Sequence, residues 1–170
     1  MSISRRTTMG LFAGAVSAMM LGAPAFADGA TVMASLWDKG DDSLMTFGEV
    51  APMGLAMENA DMSQATMGIT LSQSEIPAGE ITFQATNDST FMIHEMVLAP
   101  ITDVNTELPY VADLNKVDED AAGHLGEVAE LDPGDAGALT VTLEPGTYIL
   151  YCNIPAHYAM GMWTTFTVTQ

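Results

Sequence analysis

The chain has 170 residues, 22 of them acidic against four basic, and a formal net charge of −18 at pH 7. That length holds one domain with one core. That charge excludes nucleic acid and anionic membrane surfaces as partners and steers a basic protein towards the chain.

The chain opens on a short basic start, Arg5 and Arg6, then an uncharged apolar run from Met9 to about Pro24 and the small triplet Ala25-Phe26-Ala27. These are the charged, apolar and cleavage regions of a secretory signal, and the run is too short to span a bilayer comfortably. Ser4-Arg5-Arg6 resembles a twin-arginine signal, although Thr7, Thr8 and Met9 stand where bulky residues usually follow. Residues 1–27 are therefore expected to be a signal peptide removed on export to the periplasm. No Cys follows the site to carry a lipid, so no membrane insertion is expected after cleavage. Only Lys39 and Lys116 then face 22 acidic residues, a net charge of −20.

Residues 28–65 read as an opening strand, "TVMASLW", followed by a Met-rich stretch that is a surface loop or an insertion before the next strand. Met45, Met53, Met57 and Met62 lie there among Asp41, Asp42, Glu58 and Asp61, and Met67 follows. Met57, Met62 and Met67 recur every five residues, which walks around a helix instead of lining one face. These methionines are either adaptable packing or a secondary Cu(I) site.

Residues 66–170 read as strands and turns, with hardly any helical periodicity. "TMGITLS" is a strand, Pro77-Ala78-Gly79 a turn, and Ile81, Phe83 and Ala85 then alternate inward with Thr82, Gln84 and Thr86 outward. "FMIHEMVLAP" is apolar on both faces, as a strand buried on each side would be. Residues 101–124 are polar and acidic, a long connection with room for a short helix. "ALTVTLEPGTYILYC" predicts a hairpin, with Leu139, Val141 and Leu143 before the Glu144-Pro145-Gly146 turn. Tyr148, Leu150 and Cys152 share one face of its return strand, and Phe166 and Val168 point inward from the last. The expected fold is all-β, a single-domain sandwich with Greek-key links.

Cys152 is the only cysteine, so it has no disulfide partner. In an oxidising compartment a lone thiol must be buried or metal-bound. It ends an inward row, and the ten-residue loop "NIPAHYAMGM" behind it carries His157 and Met162. Met92, His94, Met96 and Leu98 share one face of their strand, so His94 can point into the same end. One thiolate, two imidazoles and a weak thioether are the ligand set of a blue-copper electron-transfer site. Zinc would accept the Cys and His donors but gives the thioether no purpose. Met160 competes with Met162 as the thioether.

"GTYILYCNIPAHYAMGM" resembles the copper-binding hairpin of the cupredoxins, blue copper domains of the auracyanin, pseudoazurin and sulfocyanin type. The family's Cys-x4-His-x4-Met spacing matches Cys152, His157 and Met162, and its upstream His matches His94. The resemblance implies a cupredoxin-like sandwich over residues 66–170 holding one type 1 copper, and it fades over 28–65. The family usually carries Asn or a similar small polar residue after the first His, bridging the ligand loops; this chain has Glu95. Strand alternation points Glu95 away from the metal, as a surface or supporting carboxylate. The other reading is a carboxylate ligand, as in the red-copper relative nitrosocyanin.

Two functions follow. One is a periplasmic one-electron carrier, with His157 near the surface inside an apolar patch (Ile154, Pro155, Ala156, Tyr158, Ala159, Met160) where a basic redox protein such as a cytochrome docks. The alternative is copper trafficking, homeostasis or resistance, supported by the methionines. An enzyme is not expected, because an oxidase or nitrite reductase needs a further histidine-built copper centre. After His94 and His157 only His124 remains, and a monomer cannot build that centre from it.

Overall fold

Val32, Ala34 and Leu36 bury one face of a long first strand, and the alternation continues to its last residue, Asp38. A computed structural model describes residues 27–170, so the expected signal peptide lies outside the described residues apart from Ala27. Its strands are β1 (Ala27–Asp38), β2 (Met67–Leu71), β3 (Glu75–Pro77), β4 (Gly79–Asn87), β5 (His94–Ile101), β6 (Tyr110–Val111) and β7 (Lys116–Val117). After a short helix, α1 (Glu119–Ala122), come β8 (Gly126–Leu131), β9 (Ala136–Leu143), β10 (Gly146–Tyr151) and β11 (Trp163–Thr169). Two sheets, ordered β2-β1-β4-β9 and β3-β11-β10-β5-β8, face each other, and β6 and β7 form a small separate ribbon.

The inward rows are those that alternation predicts. Ile81, Phe83 and Ala85 of β4 meet Leu150, Cys152, Phe166 and Val168 in one core, where the rings of Phe83 and Phe166 pack edge to face at 5.1 Å. β5 is buried on both faces: Met96 and Leu98 enter that core, while Val97 and Ala99 join a second cluster with Ile149, Tyr151 and Tyr158. The 101–124 connection builds that second cluster. It lays Leu108 and Val117 over the outer face of β5 and β10. α1 is capped by Asp118, whose side chain accepts the Ala121 amide, and closed by left-handed Gly123.

Three readings need correction. The Glu144-Pro145-Gly146 turn does not close a hairpin: β9 pairs with β4 in one sheet and β10 with β5 and β11 in the other. The turn is an arch between sheets, so the apolar rows on either side face each other across the core instead of sharing one surface. Tyr148 pins the arch, donating its hydroxyl to the Glu144 carbonyl at 2.8 Å. In "FMIHEMVLAP" the strand begins only at His94, and Phe91 and Ile93 are exposed. The loop before it is folded by Asn87 and Ser89: Asn87 donates to the Met92 carbonyl, and the Ser89 hydroxyl accepts the Phe91 and Met92 amides. Finally, the 38–66 stretch is not simply a surface loop, because Met53 and Leu55 are buried.

Candidate metal centre

The centre forms where three chain segments meet at one end of the sandwich. β5 begins with His94, and β10 runs out into Cys152 and the loop that leads to Met162 and β11. The backbone fixes that loop. The Cys152 amide donates to the Met162 carbonyl at 3.0 Å, and the Met162 amide donates to the His157 carbonyl at 3.0 Å. Gly161, at φ 93°, makes the left-handed step between them that a side chain would resist.

His94, Cys152 and His157 each offer one donor atom, and the three atoms lie within 4.8 Å of one another, all buried. The two Nδ1 atoms are 3.2 Å apart, and Cys152 Sγ is 3.3 Å from His157 Nδ1. The Glu95 amide points at the sulfur, at 3.4 Å. Burial pushes the Cys152 thiol up to about 12. Burial, with the neighbouring His94, drops His157 to about 4. Burial also lowers His94, against the pull of Asp38. Two neutral imidazoles and a thiol converging in a site with no water access form a donor set for a cation, whose charge stabilises the thiolate. A soft sulfur with two imidazoles suits copper.

Asp38 was not visible as a site residue. His94 Nε2–H donates to Asp38 Oδ2 at 2.9 Å, with both side chains essentially inaccessible. The signal in the sequence was a carboxylate on the inward row Val32, Ala34, Leu36, where an apolar residue belongs.

The remaining candidates separate. Met160 and Met162 are both buried, but Met160 also lines an apolar cleft with Phe47, Val50 and Pro52, whereas the Met162 backbone is bonded to Cys152. His124 is exposed and outside the donor group. Glu95 is outside it too, and it is not a surface carboxylate: it is buried, its Oε1 has no hydrogen-bond partner, and burial pushes its carboxyl up to about 7. The 101–124 connection covers the face on which Glu95 lies. The methionines occupy unlike settings, Met53 and Met67 buried, Met45 and Met62 exposed.

Most of the expected surface patch around His157 is covered: Pro155 is exposed and Ile154 half-buried, but Ala156, Tyr158, Ala159 and Met160 are buried and His157 is only 2% exposed. The 52–55 segment lies over the loop. The Met53 amide donates to the Ala159 carbonyl at 2.6 Å, the Leu55 amide to the Tyr158 hydroxyl at 2.8 Å, and Trp163 Nε1–H to the Met53 carbonyl at 2.6 Å. Asn153 anchors the other side: its side-chain oxygen accepts the Val117 amide, and its NH2 donates to the Val117 carbonyl and to Glu119 Oε1. Among the described residues no helix is long and apolar enough to cross a membrane.

The profile described as "Copper binding proteins, plastocyanin/azurin family" matches residues 53–169. No curated protein is a significant sequence match. Among solved structures, auracyanin B is similar at 24% identity and TM-score 0.50, over 88% of this chain and 92% of its own. Rusticyanin from Thiobacillus ferrooxidans is similar at 15% identity and TM-score 0.53, over 84% of this chain and 78% of its own. These likenesses show the fold, a cupredoxin sandwich.

Proposed function

Because the chain belongs to the plastocyanin/azurin family of copper-binding proteins, we propose that it is an exported, periplasmic one-electron carrier. Its cofactor is copper, which Cys152, His94 and His157 would hold as the strong donors and Met162 as the weak one. Copper held there supplies one-electron chemistry by cycling between Cu(II) and Cu(I).

The observation that carries this reading is the burial of one thiol and two imidazoles within 4.8 Å. The residues contribute rigidity. His94 is held by Asp38, and the Cys152 loop by its own backbone bonds. Donors fixed in this way need little rearrangement between oxidation states. Met162 is favoured over Met160 as the thioether donor because Met160 lines the separate apolar cleft with Phe47, Val50 and Pro52. The protein acts as a monomer and carries no catalytic activity of its own. Its partner is a redox protein with a basic face, such as a cytochrome, drawn in by 22 acidic residues against few basic ones.

Stopped-flow mixing of the copper-loaded protein with a reduced basic cytochrome c tests this. The expected result is transfer of one electron per chain, at a rate that falls steeply as salt is added. No electron exchange, with copper passing readily to a Cu(I) chelator, would instead support copper trafficking.

A further inference from the structure

Asp38 lies before the stretch that the family profile matches, which begins at residue 53. Nothing in the family assignment therefore gives it a role. It ends β1, whose partners β2 and β4 carry it to the metal end of the sandwich.

Its carboxylate is itself firmly held. Oδ1 accepts the Gly40 amide at 2.6 Å, and Oδ2 takes the Nε2 proton of His94 at 2.9 Å. An ionised carboxylate only accepts hydrogen bonds. The imidazole proton therefore sits on Nε2, and Nδ1 turns its lone pair towards Cys152 and His157. We propose that Asp38 is the positioning residue for His94: it selects the metal-binding tautomer, fixes the plane of the ring and places a buried negative charge behind the ligand.

The charge has a direction. A carboxylate bonded to a ligand imidazole raises its basicity and stabilises the more positive oxidation state of the metal. Asp38 therefore lowers the reduction potential of the site. This rests on the electron-carrier reading, and the test separates the two.

The test compares the copper-loaded full chain with Asp38→Asn and Asp38→Ala. Asp38→Asn keeps an oxygen that can accept the Nε2 proton but removes the charge. It is expected to retain the copper–thiolate absorption band at a raised potential, each tenfold loss in Cu(II) relative to Cu(I) affinity appearing as about 59 mV. Asp38→Ala is expected to lose about 10- to 100-fold in Cu(II) affinity. In proton NMR of the diamagnetic Cu(I) form, the His94 Nε2 proton should be protected from exchange in the wild type and in Asp38→Asn, but not in Asp38→Ala. An unchanged potential in Asp38→Asn overturns the assignment, and so does full affinity with a protected proton in Asp38→Ala. Failure of the wild type to show the absorption band would overturn the electron-carrier reading and this assignment with it.

Discussion

The hydroxyl of Tyr158 accepts the amide proton of Leu55 at 2.8 Å, across 103 positions of sequence. Tyr158 follows the ligand His157 directly, so this bond seats the 52–55 segment on the metal loop. Tyr158→Phe leaves a buried amide without its acceptor, at a cost of about 1–3 kcal/mol. Thermal melting should show a fall of several degrees, and hydrogen exchange should speed up at Leu55 before it does in β4. An unchanged Leu55 exchange rate would mean that the segment is seated by other contacts.

Gly161, in the metal loop, packs closely against Ala65 and Met62. A Cβ there would lie 2.9 Å from the Ala65 Cβ, at a φ of 93° that side chains resist. Gly161→Ala is expected to destabilise the fold by about 1–3 kcal/mol. Because the residue lies between Met160 and Met162, the copper spectrum should shift as well. Urea unfolding and visible absorption of the same sample check both effects.

Asn153 holds the acidic connection to the metal loop from the opposite side. Asn153→Ala would strip the Val117 amide and carbonyl of their partners at a buried site, a loss of about 2–4 kcal/mol. Tyr148→Phe, at the far end of β10, removes one partly buried bond and should cost only about 1 kcal/mol with no spectral change. Urea denaturation of the two variants should rank them in that order.

The difference between what was legible and what was not follows range. Period-two alternation is local, so the inward rows of β4, β10 and β11, and with them Cys152, could be read directly. The cluster of His94, Cys152 and His157 was legible for the same reason: Cys152 and His157 share one short loop, and His94 sits on an inward row. Alternation does not say which sheet receives a row, however, and an arch satisfies it as well as a hairpin does. That is why β9 and β10 were misjoined. Asp38 meets His94 across 56 positions, and the 52–55 segment meets Tyr158 over a longer span still. Such contacts leave no periodic trace. Their one local signal was a polar residue on an apolar row: Asp38 in β1, and likewise Glu95 in β5.

The central claim is a copper site built on the thiolate of Cys152, and copper(II) titration followed by visible absorption and electron paramagnetic resonance tests it most directly. An intense thiolate-to-copper band saturating at one copper per chain, and absent in Cys152→Ser, is the predicted result. Copper bound without that band, or a spectrum that Cys152→Ser leaves unchanged, would contradict it.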